Sequence, residues 1–208
     1  MRNNFLNMVI IFIFIITATF AQSNGYFDYK TNEDNIDSIE LSIDNEIVEL
    51  ENQRDSLITE AISEVDTYIN KYAPRSKMTG EHIVISCIDA DFDITLLMAQ
   101  AHLETHFGQE NSRNNVFGLA KKRYEHPDSA VVDYINLMQS RYIKNRTVDE
   151  ALKSNLNVEG SSKYYYSELA SYTNHVSSIR NKIIKTTNIE TLFEEISIIS
   201  RNINDYIL

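Results

Sequence analysis

Between Ile36 and Tyr72 apolar residues return at helical intervals. Ile43, Ile47, Leu50, Leu57, Ala61 and Val65 fall near one stripe, and Ile58, Ile62, Val65, Ile69 and Tyr72 near a second. The first half of this run is polar between its apolar positions and reads as a solvated helix or a short coiled coil. The second half is more apolar and reads as a helix packed on the domain that follows. Ala73-Pro74 stops it, because proline cannot continue the hydrogen-bond ladder. Asp91 or Asp93 caps the next helix, which runs to about Phe107 with Gly108 as its stop. Further helical patterns cover about Ala130 to Tyr142 and Val148 to Leu156. A helix carrying Tyr172, Val176, Ile179 and Ile183 at helical spacing follows, and then residues 189–204. No run alternates with the period of a strand, and five glycines and two prolines leave few breaks. The expected fold class is all-α.

The chain has 208 residues, which divide into three parts. Residues 1–21 read as a signal peptide. Arg2 supplies the positive start, Met8 to Ile16 the apolar core, and Thr19-Phe-Ala21 a small-residue cleavage site. The apolar run is shorter than the about 20 residues that span a bilayer. Export to the periplasm, cell envelope or exterior is therefore expected. Residues 22–72 form an extension, polar and disordered to about residue 35 and helical after it. Residues 73–208 form the main domain. Cys87 is the only cysteine, so no internal disulfide is expected, and it reads as a small buried apolar residue.

Charge sharpens this division. Residues 28–70 hold thirteen acidic and two basic side chains, whereas 71–208 hold seventeen acidic and sixteen basic ones. The acidity belongs to the extension, and the main domain is nearly neutral. No basic patch suited to nucleic acid is present. The apolar stripe of the extension fits either a plain amphipathic helix or self-association.

Chemistry concentrates in Leu96-Leu-Met-Ala-Gln-Ala-His-Leu-Glu-Thr-His-Phe-Gly108. A carboxyl group, Glu104, stands near the C-terminal end of an otherwise apolar helix. Desolvation and the negative end of the helix dipole both disfavour a charged carboxylate, which suits a general acid. His102 and His106 share a helix face at i, i+4 and raise the question of a metal. A zinc protease, however, needs its glutamate directly after the first histidine. Glu104 is two residues after His102, about 200° around the helix, so the protease pattern fails and no metal or other cofactor is expected. Downstream, Asn114-Asn-Val-Phe-Gly118 is a turn-forming segment. Tyr164, Tyr165, Tyr166 and Tyr172 offer flat faces and hydroxyls that suit sugar rings.

These residues resemble a known family. Ala99-Gln-Ala-His-Leu-Glu-Thr-His-Phe-Gly108 is similar to the AQA-x-x-E-[ST]-x-[WF]-G segment of bacterial glucosaminidase domains that cleave peptidoglycan (glycoside hydrolase family 73, mannosyl-glycoprotein endo-beta-N-acetylglucosaminidase-like). Asn114-Asn-Val-Phe-Gly-Leu119 resembles that family's NN-[LI]-FG-[IL] turn. Ser129 to Leu137 is similar to a later helix, and Tyr166-Ser-Glu-Leu-Ala-Ser-Tyr172 to the YSE-x-x-x-Y segment of its Bax-like branch. The resemblance spans about residues 75–190. It implies a lysozyme-like helical domain with a cleft, and hydrolysis of the β-1,4 bond after N-acetylglucosamine in peptidoglycan glycan strands. It implies Glu104 as catalytic acid and a cleft tyrosine, Tyr166 or Tyr172. Tyr166 is carried over as catalytic, and Tyr172, Asn115 and Phe117 as substrate-binding.

Two departures stand out. His106-Phe107 replaces the Gly-Trp or Ala-Trp often found in the family. Only about ten residues separate Leu119 from Ser129, too few for the lobe that carries a second carboxylate in many members. Glu125 and Asp128 are the carboxylates available there. Inverting hydrolysis needs two carboxylates about 6.5–9.5 Å apart and the covalent route about 5–5.5 Å, while a substrate-assisted route needs one protein acid. A muramidase, a lytic transglycosylase or a non-catalytic wall-binding protein also fits this pattern.

Overall fold

The computed structural model describes residues 29–110, 113–119, 122–143, 147–152 and 170–207. Every regular element among them is helical, so the chain is all-α. The elements are α1 (Tyr29–Tyr72), α2 (Gly80–Asp89), α3 (Ile94–Thr105), α4 (Pro127–Leu137) continued by a π turn (Met138–Tyr142), α5 (Val148–Ala151), α6 (Ala170–Thr186) and α7 (Ile189–Ile207).

Two compact units are present. The larger is Asp55–Ser197, and the smaller is Met1–Arg54 with Ile198–Leu208. In the smaller unit Ile203 is buried, while Ile39, Leu41 and Val48 are more than half exposed, at 59%, 64% and 54%. The expected signal peptide lies outside the described residues.

The core of the larger unit is built around α3. Its residues Leu96, Leu97, Met98, Ala99 and Ala101 are fully buried, so this helix lacks the polar face of a surface helix. Ala61, Val65 and Ile69 of α1 join the same core, with Ile83, Val84 and Cys87 of α2, Val131 of α4, and Val176 and Ile183 of α6. Burying each valine, leucine, isoleucine or methionine side chain of this set contributes about 1.5–3 kcal/mol. Cys87 is free and buried, as its isolation in the sequence implied, and burial pushes its thiol pKa well up.

The start of α3 is held by polar groups. Asp93 is the N-cap, its Oδ1 accepting from the Leu96 amide at 2.9 Å. Arg180 of α6 donates to Asp93 Oδ2 at 2.9 Å and, through Nε, to Thr95 Oγ1 at 2.8 Å. The cap thus also fastens α6, the helix that packs most extensively on α3. Helix α2 has only a short apolar pattern in the sequence, its buried face being Ile83, Val84 and Cys87. Its first residue, Gly80, donates to Asp66 Oδ1 of α1 at 2.5 Å. A Cβ at Gly80 would overlap the Ile62 carbonyl, so the two helices meet there without a side chain between them. The helix expected from Ala130 begins earlier, at Pro127, where proline suits the first turn.

Candidate functional site

Helix α3 ends one turn before the expected glycine. Thr105 is its last residue, and His106 is the cap with a left-handed φ of 48°. Phe107 and Gly108 follow, also left-handed, at 54° and 79°. Two non-glycine residues in this region cost about 1–3 kcal/mol each. Tertiary contacts hold them there. The Phe107 ring is fully buried, its amide donates to the Ala101 carbonyl at 2.8 Å, and its carbonyl accepts from the Ser76 hydroxyl at 2.7 Å. Gly108 is therefore the last of three left-handed residues and not the sole stop.

The same helix end is joined to the Asn114–Gly118 turn. Buried Thr105 donates through Oγ1 to the Val116 carbonyl at 2.6 Å and accepts from the Gly108 amide at 2.7 Å. Asn115 is buried, and its Nδ2 donates to the carbonyls of Leu119 and Lys122, both at 3.2 Å. Its Oδ1 accepts from the Leu119 amide at 2.8 Å. Phe117 is buried and stacked on Tyr134 with ring centroids 4.0 Å apart. Asn114 donates to the carbonyls of Tyr124 and Glu125 at 3.1 and 2.9 Å. Asn115 and Phe117 were expected to bind substrate. In the structure the Asn115 amide bonds backbone groups of the turn and the Phe117 ring is packed inside.

This arrangement defines the surroundings of Glu104. Its side chain is half-buried, and the hydroxyl of half-buried Tyr172, on α6, donates to Oε1. Gly118 lies beside the other oxygen: a Cβ built there would sit 3.3 Å from Oε2, and its φ is +61°. Glu104 thus has one oxygen fixed by a phenol and the other under a residue without a side chain. Half-exposure means that the phenol, more than enclosure, sets the carboxyl group's orientation. Tyr166, with Tyr164 and Tyr165, lies outside the described residues.

The histidines face elsewhere. His102 Nδ1 is 3.0 Å from the Tyr68 hydroxyl of α1, and burial lowers the pKa of its ring, with His106 and Lys182 adding to the effect. Burial raises the Tyr68 pKa, so the phenol keeps its proton beside the ring. His106 Nδ1 lies 3.1 Å from Glu110, close enough for an ion pair but without hydrogen-bond alignment. Among the described residues no group of three or more potential ligands is arranged for a metal. Of the loop carboxylates, Asp128 lies between two histidines, 2.9 Å from His82 Nδ1 and 2.5 Å from His126 Nδ1. Glu125 is exposed.

No protein-family model matches the chain, and no match was found among curated proteins or solved structures.

Proposed function

We propose that this protein is an exported peptidoglycan hydrolase with a lysozyme-like domain, cleaving the β-1,4 bond after N-acetylglucosamine. Glu104 is its general acid and Tyr172 the group that orients it. The observation that carries this reading is the Tyr172–Glu104 hydrogen bond beside Gly118. With Oε1 occupied by the phenol, a protonated Glu104 carries its proton on Oε2, beneath the glycine. Transfer of that proton to the glycosidic oxygen leaves a carboxylate, and a hydrogen bond to a carboxylate is stronger than one to a neutral acid. Tyr172 therefore stabilises the group more as the bond breaks than before, which is the requirement for catalysis. The sugar cation is then met by water, whose released proton returns to the Glu104 carboxylate, or first by the substrate's own N-acetyl oxygen, in which case water opens the resulting ring in the same way.

The engagement of Asp128 by two histidines supports a second reading that also needs one acid, a lytic transglycosylase. Mass spectrometry of the products separates the two, since hydrolysis leaves a reducing end and transglycosylation an anhydro sugar. The test is digestion of purified sacculi. Glu104→Gln is expected to lose about 10²–10⁴-fold in rate, the usual worth of general acid catalysis. Tyr172→Phe is expected to lose about tenfold or more, as when one stabilising donor is removed. A Glu104→Gln protein as active as the wild type removes Glu104 from the reaction. Binding of glycan by the wild type without new ends identifies a wall-binding protein.

A further inference from the structure

A second feature lies at the end of α3, on the side of the loop that joins α1 to α2. This loop is fastened to the left-handed turn. The Arg75 amide donates to Gln109 Oε1 at 2.9 Å, and the Ser76 hydroxyl donates to the Phe107 carbonyl at 2.7 Å while accepting from the Met78 amide at 3.0 Å. Between loop and turn is a cavity of about 360 Å³, lined among others by Arg75, Lys77, Phe107, Gly108, Gln109 and Glu110. Its size is at the small end of ligand pockets, which run from about 300 to 1,000 Å³.

The charges around it do not balance internally. Glu110 is the acidic group in the lining, and it already lies against His106. The Arg75 guanidinium and the Lys77 ammonium have no ion-pair partner among the described residues. Two cations held at one mouth by a fastened backbone, over a partly apolar wall, suit a small anion with an organic body. The planar fork of arginine matches a carboxylate with two parallel hydrogen bonds, and lysine adds a point charge.

We infer that this cavity is a carboxylate-binding subsite. In a form that rests on the glycosidase reading, it takes the free carboxylate of a peptide attached to the glycan, so that the chain prefers peptide-substituted over bare strands. The cavity borders the turn that directly follows the helix carrying Glu104.

Isothermal titration of the full chain tests this without requiring turnover. The probes are a disaccharide peptide ending in a free carboxylate and the same compound ending in a carboxamide. The acid is expected to bind about tenfold more tightly, the scale of one charge-assisted pair. Arg75→Gln and Lys77→Gln should each remove most of that difference, and about 0.5 M salt should shrink it by screening. Binding of a neutral chitin oligomer should be unchanged in both variants, which also shows that they are folded. Equal affinity for acid and carboxamide, or variants that bind the acid as the wild type does, overturns the inference. Failure of the wild type to cleave glycan counts against the glycosidase reading alone.

Discussion

Gly118 makes the clearest demand of the site, because two separate effects meet at one atom. Its φ is +61°, and a Cβ there would lie 3.3 Å from Glu104 Oε2. An alanine in the left-handed region costs about 1–2 kcal/mol. For a chain of this size that lowers the melting temperature by about 2–8 °C. The 3.3 Å contact requires the carboxylate to give by a few tenths of an ångström. Movement of Glu104 stretches its hydrogen bond to Tyr172, so the steric effect is expected in activity more than in stability. Asparagine separates the two effects, since it tolerates left-handed backbone far better than alanine but carries a larger side chain. Urea unfolding should rank stability as glycine above asparagine above alanine. Sacculus digestion should place glycine well above both. If Gly118→Ala unfolds within about 0.5 kcal/mol of the wild type, the range of an ordinary surface change, the left-handed turn is not the native one. A Gly118→Asn protein with full activity would show that Oε2 does not need the open space.

Thr105→Val should destabilise by about 2–4 kcal/mol, because it leaves the Val116 carbonyl and the Gly108 amide without their shared hydroxyl. Thr105→Ser should restore most of this in chemical unfolding, and equal stability of the valine and serine proteins would show that the hydroxyl does not link helix and turn. The His102 pair with Tyr68 gives a pH dependence of definite sign. Burial lowers the folded pKa of His102, so its contribution is complete above the unfolded value of about 6.5 and is lost as the pH falls through the folded value. Between about pH 7.5 and pH 5, the wild type should therefore lose more stability than His102→Gln. Parallel losses would mean that His102 is not the group responsible.

The helices were legible where a single physical signal dominated. Pro74 ends α1 at Tyr72, one of two candidate aspartates, Asp93, caps α3, and the spacing of Tyr172, Val176, Ile179 and Ile183 marks α6. Helix α2 escaped because its ten residues carry a short buried face, and its start depends on a contact with α1, the Gly80–Asp66 hydrogen bond. The stop of α3 was misplaced for a similar reason. Local preference favours Gly108 for a left-handed cap, but His106 and Phe107 adopt that conformation because the Phe107 ring is buried and its carbonyl is bonded to Ser76. Asn115 and Phe117 were recognisable as a pair with a purpose. Which purpose depends on whether their polar and apolar atoms face outward, and that is a property of packing.

Three properties can be read along the chain alone: it is helical, its acidity belongs to the segment before residue 71, and Glu104 is the carboxylate set apart from its neighbours. These follow from periodicity, charge count and local placement, all of which are read within a few turns of chain. What stands around that carboxylate depends on how distant parts of the chain pack together. Tyr172 is 68 positions away in sequence, and Gly118 reaches Oε2 only because Thr105 draws the turn back onto the helix end. The His102–Glu104 pair shows the boundary between the two. Helical geometry placed them on different faces, but only the packing of α1 and α6 assigned one face to Tyr68 and the other to Tyr172. Helical period orients a side chain relative to its own axis, whereas its partner is selected by the long-range packing that buries the axis itself.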